Sequence, residues 1–308
     1  MKIYAKLTDI TREYKWVSVA LGMFDGVHVG HQSIIRRAAD LAKAHGGVCA
    51  VFTFANHPLS ILAPDRMPLQ IATPELRAHI LAELGVDILF SVPFTKEFSK
   101  IAPERFLAIL RDNMAPRYVV TGANFTFGKD GKGNQRLLLR LAESYNFTAE
   151  ICPTVLSGGR AVSSTRVRSL IKSGDLLTVN EFLGRPFTFA GRVIHGDRRG
   201  RALGFPTANL AIAETQAMLP NGAYAAQVLT GGRLYNGLAN IGNNPTFAGV
   251  KRRLEVNIQD FATDIYNELI QVRFWEKLRD EKKFSSAEQL VKQLRRDREM
   301  AEAIWARL

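Results

Sequence analysis

Two histidines lie three residues apart, where an apolar stretch of the sequence gives way to a helical pattern. His28 and His31 follow the strand-like run at residues 17–21 and come just before the apolar positions of an amphipathic helix. Glycines between a strand and a helix let backbone N–H groups approach an anion, and the helix N-terminus adds partial positive charge. Imidazole N–H groups can donate to phosphate oxygens. The spacing therefore predicts a site where a nucleoside triphosphate is attacked at phosphorus.

A glycine-rich turn is a weak signal by itself, because many such turns bind no phosphate. Here the strand, the turn, the histidine pair and the helix coincide, which favours phosphate binding. A metal site, the other use of two histidines, lacks a cysteine or a third histidine at ligand-like spacing nearby. The stretch resembles the GxFDGxHxGH signature of HIGH-type nucleotidyltransferases, in the form found in prokaryotic FAD synthetases. The resemblance implies catalysis by the two histidines and ATP contacts at Gly22, Phe24, Asp25, Gly26, His28, Gly30 and His31.

The composition is that of an ordinary globular chain with a strong positive charge. Among 308 residues, 41 Lys and Arg against 29 Asp and Glu give a net charge of +12. This excess favours anionic partners, but the basic residues are spread along the chain, which weakens the case for nucleic acid. No apolar run approaches the ~18 residues of a membrane span, and residues 1–9 are too charged for a signal peptide. We interpret Cys49 and Cys152 as buried thiols of a cytoplasmic protein, with a disulfide left open.

The first half of the chain alternates strand and helix patterns. Short runs rich in β-branched and aromatic residues predict buried strands at residues 17–21, 48–54, 86–92 and 118–121. Between them, Thr73 followed by Pro74 marks one helix start, and Pro103 marks another. This alternation predicts an α/β domain, a parallel sheet with helices on both faces, in which ligands bind beyond the carboxyl ends of the strands.

Two further loops follow predicted strands, so we expect them to meet the histidine turn at one crevice. They are residues 53–58 and residues 121–129. Asn124, a short amide in a loop, suits a ribose or phosphate contact. Phe125 and Phe127 are as compatible with core packing as with a site.

These loops resemble the TFxxHP and GxxFxFG segments of FAD synthetases. The resemblance implies that Asn124 contacts ATP and that the flavin contacts lie at Asn56, His57, Pro58 and Phe125. Ala55 and Ala123 stand where acidic residues are frequent in that family. We therefore assign no metal ligand in this site.

Hydroxyl and guanidinium groups gather at the start of a later predicted helix that ends before Gly174. A serine or threonine there is typical of a helix N-cap, and hydroxyls, arginines and a helix N-terminus can also grip a triphosphate. The segment resembles the SSTxIR motif of the mobile phosphate-binding loop in these nucleotidyltransferases. That resemblance implies ATP contacts at Ser163, Ser164, Thr165, Arg166 and Arg168. A further helix at residues 175–183 ends at Gly184, and we place the domain boundary between residues 185 and 186.

The second half is predicted to be all-β until its last helix. Candidate strands lie at residues 187–194, 223–229, 234–241, 252–261 and 268–274. A small antiparallel barrel fits this pattern, closed on one side by a helix at residues 286–308. The predicted apolar stripe of that helix is Leu290, Leu294, Ala301, Ile304 and Leu308.

Residues 195–210 form a connection that is too rich in glycine and arginine to be core. For its paired arginines a solvated face is the plain interpretation. The segment resembles the GxxxGFPTAN signature of riboflavin kinases, which implies Mg²⁺ contacts at Thr207 and Asn209. It also implies that the phosphates of ATP are held by Gly196, Gly200, Gly204, Phe205, Pro206, Thr207 and Asn209.

Glu255 is the one carboxylate on the polar face of a predicted strand whose other face carries Leu254 and Val256. An ordinary exposed glutamate is the plain alternative to a general base. The ExxxxDF pattern around it resembles that of riboflavin kinases, in which this glutamate takes the proton of the ribityl hydroxyl. The same resemblance implies flavin contacts at Arg279 and Glu281. Asn257 stands where histidine is common in that family, so we assign it no role.

Together these signatures cover nearly the whole chain and resemble the prokaryotic bifunctional riboflavin kinase/FAD synthetase family. The resemblance implies a Rossmann-like HIGH-type nucleotidyltransferase domain, residues 1–185, and a riboflavin kinase β-barrel domain with a terminal helix, residues 186–308. Riboflavin, FMN and ATP would be substrates, FAD the product and Mg²⁺ the metal, with no membrane or nucleic acid partner and weak homo-oligomerisation left open. One alternative is another nucleotidyltransferase that carries a basic, nucleic-acid-binding barrel. Another is a flavin sensor without turnover, against which the paired histidines, Thr207, Asn209 and Glu255 argue.

Overall fold

The computed structural model describes residues 1–9, 14–196, 204–246 and 249–308 of the chain. These residues divide into two compact units. The first unit comprises Met1–Pro68 and Thr73–Ser164, and the second comprises Leu69–Ala72 and Thr165–Leu308. The domain boundary between residues 185 and 186 stays a prediction.

A six-stranded parallel sheet forms the centre of the first unit, with the strand order β1-β4-β3-β2-β5-β6. Its strands are β1 (Lys2–Tyr4), β2 (Val17–Leu21), β3 (Val48–Phe54), β4 (Ile88–Val92), β5 (Tyr118–Gly122) and β6 (Thr148–Cys152). All five residues of β2 are buried, because a strand in the middle of such a sheet is covered on both faces. The predicted α/β fold is confirmed. The sequence patterns missed β1, which is short, and β6, whose residues are only partly buried.

Helices alternate with these strands as predicted. They are α1 (Val29–Ala44), α2 (Leu59–Leu62), α3 (Pro74–Glu83), α4 (Pro103–Met114) and α5 (Gln135–Ala142). Two short strands, β7 (Leu156–Ser157) and β8 (Arg160–Ala161), form a separate hairpin. The predicted cap of α3 is confirmed, because the Thr73 hydroxyl accepts a hydrogen bond from the Leu76 N–H group at 3.3 Å.

The second unit contains a closed antiparallel barrel with the strand order β10-β13-β12-β11-β14-β9. Its strands are β9 (Phe187–Ile194), β10 (Ala208–Ala211), β11 (Gly222–Thr230), β12 (Arg233–Thr246), β13 (Gly249–Ile258) and β14 (Leu269–Asp280). The helices of this part of the chain are α6 (Ser164–Ser173), α7 (Leu176–Leu183) and α8 (Ala287–Trp305). The predicted barrel with a terminal helix is confirmed.

Two details of the barrel correct the sequence analysis. The segment predicted to be a loop as far as residue 210 enters the barrel as β10, because Leu210 is fully buried and its backbone pairs with both β9 and β13. Leu308 is exposed, since α8 ends at Trp305, so it does not belong to the buried stripe of the helix.

The two cysteines are free thiols, as the sequence analysis favoured. Cys49 is buried, and burial raises its pKa to about 12. Cys152 is only half-buried, so the expectation of two buried thiols holds for one of them. No helix in the described ranges is long and apolar enough to cross a membrane.

A buried ion pair joins β14 to α8. The Asp297 carboxylate, only 2% exposed, accepts from Arg279 Nε at 3.0 Å and from Arg279 Nη2 at 2.8 Å. Gln293 donates a further hydrogen bond of 2.8 Å to the same carboxylate. A carboxylate in this environment is stabilised by its partners, so removal of either partner leaves a buried charge without compensation.

We expect Asp297→Ala to lower the free energy of unfolding by about 2 to 4 kcal/mol, because it leaves the Arg279 guanidinium without its carboxylate partner. Urea unfolding followed by tryptophan fluorescence measures the loss. Glu302→Ala is the matched control on the same helix. Its ion pair with Arg298 is solvent-exposed, so the loss should stay below about 1 kcal/mol. Equal losses in the two variants would contradict this account of the buried pair.

Candidate active sites

His28 and His31 lie side by side at the N-terminus of α1. His28 is the N-cap residue: its Nδ1 accepts a hydrogen bond from the His31 N–H group at 3.2 Å. The two imidazole rings stack with their centroids 3.7 Å apart, and His28 is 5% exposed. Because Nδ1 of His28 is an acceptor, the neutral ring carries its proton on Nε2. That N–H group and the partial positive charge at the N-terminus of α1 suit an anion.

The turn between β2 and α1 has a strained backbone. Phe24, Gly26 and Val27 all adopt positive φ angles, of 50°, 76° and 42°. A positive φ is rare for residues other than glycine and is an outlier for a β-branched residue such as Val27. Strain of this kind persists only where surrounding contacts impose it, and it is concentrated at functional sites.

Three side chains, two of them buried, impose that shape by holding the carbonyl groups of the turn. Thr53 Oγ1 donates to the Met23 carbonyl at 2.9 Å, and Gln32 Nε2 donates to the Val27 carbonyl at 3.0 Å. Ser164 Oγ donates to the Asp25 carbonyl at 3.0 Å. These donors come from β3, α1 and the start of α6. The turn is therefore fixed from three separate elements.

A cavity of about 670 Å³ opens beside this turn. Its walls come from the loops that follow strands of the parallel sheet, which confirms the predicted convergence of the three loops. The predicted site residues that line it are Gly22, Phe24, His28, Gly30, His31, Pro58, Asn124, Phe125, Ser163 and Ser164. Asp25 and Gly26 belong to the turn but are not part of the cavity wall.

Asn56 and His57 shape a loop rather than line the cavity. The Asn56 amide accepts from the Phe94 N–H group at 2.8 Å and donates to the Phe94 carbonyl at 3.1 Å. His57 Nδ1 accepts from the Leu59 N–H group at 3.1 Å. Their predicted flavin contacts stay predictions.

The predicted phosphate-binding segment divides between the two compact units. Ser163 and Ser164 belong to the first unit, whereas Thr165, Arg166 and Arg168 belong to the second. Within the second unit, Arg168 Nε donates to the Leu69 carbonyl at 2.6 Å. ATP contacts by the last three residues stay predictions.

An aromatic wall at one end of the cavity was missed by the sequence analysis. Phe54, Phe94 and Phe98 line it, with ring centroids 4.9 to 5.9 Å apart. Phe127 is buried in the core and Phe125 packs partly against that core, while both also line the cavity. These phenylalanines lie at the end of β3 and in the connections after β4 and β5, and their spacing carries no periodic signal, so only the fold brings them together. A cavity with an anion site and an aromatic wall can take a ligand in which a phosphate is joined to a planar ring.

A second polar site lies on the outer face of the barrel. Glu255 of β13 is paired with Asn209 of β10 on one side and with Asn240 of β12 on the other. Residues directly opposite each other in antiparallel strands share one face, so these three side chains form a row. Leu254 and Val256 are fully buried in the barrel, which confirms the predicted alternation along β13.

The Asn209 side chain is 6% exposed and is closely packed against its neighbours. Its Nδ2 donates to the Thr207 carbonyl at 3.3 Å, and a Cβ atom at Gly196 would lie 2.4 Å from that nitrogen. Its buried Oδ1 receives no hydrogen bond from the residues that the structure describes. Amide and hydroxyl oxygens are ligands that Mg²⁺ accepts, usually with water and substrate phosphates completing its shell. Asn209 and Thr207 therefore fit a magnesium ion that arrives with a phosphorylated substrate.

The remaining residues of the predicted kinase site lie in or near the segment that precedes β10. Asn257, to which we assigned no role, donates to the Pro206 carbonyl at 2.7 Å and thereby ties the segment before β10 to β13. Gly204 is exposed with a φ angle of 79°, and Phe205 is half-buried. Gly200 lies outside the described residues, and the phosphate contacts of this segment stay predictions.

Arg279 and Glu281 are held in place by protein contacts at the end of β14. Arg279 pairs with Asp297, as above, and its guanidinium lies 5.7 Å from the Phe284 ring centroid. Glu281 accepts from Asn221 Nδ2 at 2.9 Å and from the Asn243 N–H group at 3.4 Å. These contacts order the segment, and its predicted flavin contacts stay predictions.

Comparisons with known proteins match two ranges of the chain to two protein families. The FAD synthetase family model matches residues 11–166, and the riboflavin kinase family model matches residues 183–305. A bifunctional riboflavin kinase/FMN adenylyltransferase of Listeria monocytogenes is 38% identical over 94% of this chain and 93% of the relative. Its counterpart in Bacillus subtilis is 34% identical, over 92% and 90% of the two chains. A solved structure described as a macrolide-efflux protein from Streptococcus pneumoniae matches with a TM-score of 0.85 and 35% identity, over 97% and 98% of the two chains.

We expect Gly22→Ala to destabilise the chain by about 1 to 3 kcal/mol, because overpacking in a tight core forces neighbours to shift. The added Cβ would lie 2.8 Å from the ring of Phe24, which is fully buried and cannot give way. In a Phe24→Leu background the ring is gone, so the same substitution should cost less. Thermal unfolding of the four proteins measures this coupling, and equal losses in both backgrounds would contradict it.

Proposed function

The chain belongs to the family of bifunctional riboflavin kinases/FMN adenylyltransferases and has both activities, and we propose that each half of the chain carries one of them. Residues 1–185 would adenylylate FMN, and residues 186–308 would phosphorylate riboflavin. The observation that carries this division is that two separate family models match the two halves, each over a site with the groups that its reaction needs.

In the first half, a phosphate oxygen of FMN attacks the α-phosphorus of ATP, the bond to the β-phosphate breaks, and pyrophosphate leaves. The FMN phosphate is already an anion at neutral pH, so this nucleophile needs no base. The work of the protein is to position the groups and to stabilise the charge that develops on the transferring phosphoryl group. We assign that stabilisation to His28, His31 and the N-terminus of α1.

The aromatic wall supports placing the isoalloxazine ring of the flavin in the same cavity. Phe54, Phe98 and Phe125 offer faces and edges against which a planar ring can pack. Asn124, Ser163 and Ser164 line the cavity and can bind ribose or phosphate. Asn56 and His57 would then serve the site by fixing the loop that carries Pro58.

In the second half, Glu255 accepts the proton of the riboflavin 5′-hydroxyl as its oxygen attacks the γ-phosphorus of ATP. The bond from the γ-phosphorus to the bridging oxygen breaks, and ADP leaves. An alcohol is a poor nucleophile, so this reaction needs the base that the first reaction does not. Asn209 and Thr207 would hold Mg²⁺, which when bound neutralises charge on the triphosphate. Glu255 shares its row with Asn209, which supports the assignment.

The partners that this function requires are small molecules: riboflavin, FMN and ATP. We propose the cytoplasm as the location, since both cysteines are free thiols and such thiols are typical of reducing compartments. Homo-oligomerisation stays a prediction.

We expect Glu255→Gln to slow FMN formation from riboflavin by about 10²- to 10⁴-fold, the usual contribution of a general base. Conversion of FMN to FAD should be unchanged. Separating riboflavin, FMN and FAD by chromatography over time measures both activities in one protein. Glu276→Gln is the matched control, since Glu276 is an exposed barrel carboxylate that pairs with Arg307.

The reverse pattern is expected for His28→Ala and His31→Ala. Each should slow FAD formation from FMN by about 10²- to 10³-fold, as the loss of a charge-stabilising donor does. Riboflavin phosphorylation should be kept. Equal loss of both activities in each folded variant would contradict the assignment of two sites.

We expect Gly196→Ala to slow riboflavin phosphorylation by about tenfold or more, because it displaces a group that must be held accurately. The new Cβ has to push the Asn209 amide aside. FAD formation should be unchanged. Gly231→Ala is the control, because it strains the backbone of the barrel without displacing a side chain. The φ angle of Gly231 is 54°, and no atom lies within 4 Å of the added Cβ. Full kinase activity in Gly196→Ala would contradict the role of the Asn209 amide.

A further inference from the structure

We infer that Arg77 is a positioning residue of the adenylyl-transfer site, which holds the strained turn after β2 through main-chain carbonyl groups. This inference rests on the proposed adenylyl transfer at that turn. It concerns a residue that has no part in the two sites as described so far.

Arg77 lies on α3 beneath the carboxyl ends of two neighbouring strands. Its Nη1 donates to the Met23 carbonyl at 3.4 Å, and its Nη2 donates to the Phe54 carbonyl at 3.1 Å. Met23 belongs to the turn after β2, and Phe54 is the last residue of β3. Since β2 and β3 are paired in parallel, one guanidinium ties together the two strand ends from which the turn and the next site loop begin.

A purely structural role accounts poorly for an arginine at this position. The side chain is 5% exposed, and burial lowers its pKa, with the nearby charge of Asp25 acting in the opposite direction. Its buried Nε has no hydrogen-bond partner among the described residues. An apolar side chain of similar volume would fill the space without desolvating a charge, and such replacements are often neutral or stabilising. What an apolar side chain cannot do is hold the two carbonyl groups.

Arg77 does not line the cavity, so it acts through the turn rather than on substrate. The Met23 carbonyl that it binds is also held by Thr53 Oγ1, at 2.9 Å. Two donors on one carbonyl fix the residue directly before Phe24, where the positive φ angles begin. A small shift there moves the groups that meet the transferring phosphate, and misplacement of about 1 Å can cost about a hundredfold in rate.

The first test compares Arg77→Met and Arg77→Lys in the full chain. Arg77→Met should lower kcat for FAD formation from FMN by about 10- to 100-fold. The KM values for FMN and ATP should change far less, because the turn acts on the transition state. Arg77→Lys should fall between Arg77→Met and the unchanged chain, since an ammonium group lacks the planar fork that spans two carbonyls. The control is Arg111→Met, which removes an exposed arginine from α4.

Riboflavin phosphorylation in the same protein is the internal reference, and it should stay within about twofold of the unchanged chain if the effect is confined to positioning. A fall of both activities in parallel would show a structural role only and would overturn the inference. So would a kcat for FAD formation that Arg77→Met leaves unchanged. If Arg77→Met does not accumulate as folded protein, Arg77→Lys decides by the same criteria.

The second test is a double-mutant cycle of Arg77→Lys with Thr53→Val. Because both side chains hold the Met23 carbonyl, the double variant should lose more in kcat than the product of the two single losses, as contacting residues do. Simple multiplication of the losses would overturn the shared-carbonyl mechanism. The proposed function fails differently: it would fail if His31→Ala retained full FAD formation, whatever the Arg77 variants do.

Discussion

The first site depends on one constraint, a backbone turn held in a conformation that it would not adopt alone. Phe24 and Val27 have positive φ angles, and side chains from separate elements hold the carbonyl groups of the turn. Strain of this kind costs on the order of 1 to 3 kcal/mol per residue. The arrangement offsets that cost with hydrogen bonds to the turn, and it leaves the histidine pair and the helix terminus directed to one place. The adenylyl transfer that we propose for this site needs little else from the protein, because its nucleophile is already ionised.

The second site is built on regular strands rather than on a strained turn. Its groups project from regular strands, so the register of the barrel sets their spacing: Asn209, Glu255 and Asn240 are neighbours because their strands are paired there. Two local features then place the groups of the row. Gly196 has no side chain, which leaves space for the Asn209 amide, and Asn257 donates a hydrogen bond to the Pro206 carbonyl. A rigid platform of this kind suits a reaction in which a base must meet a hydroxyl and a phosphorus atom together.

Sequence patterns predicted what depends on local periodicity and on signature residues. The buried strands β2 and β3, the cap at Thr73 and the alternation along β13 follow directly from residue types. The patterns failed where tertiary contacts decide: β10 forms because Leu210 finds a place in the barrel, although its flanking residues are typical of a loop. Arg77 and Asn257 act on distant carbonyl groups, and the aromatic wall is assembled from the end of β3 and the connection after β4. No spacing in the sequence reports such contacts.

The closed barrel has a consequence for how this half of the chain can meet other molecules. β9 pairs with both β10 and β14, so each of its six strands has a neighbour on either side. Within the described residues no strand of the barrel lacks a neighbour on either side, which disfavours aggregation and peptide capture by strand addition. The interior is occupied by side chains such as Leu210 and Ile241. A ligand of the barrel must therefore bind on the outside, to loops and outward-facing side chains. Substitutions of these residues leave the hydrogen bonds between the strands intact.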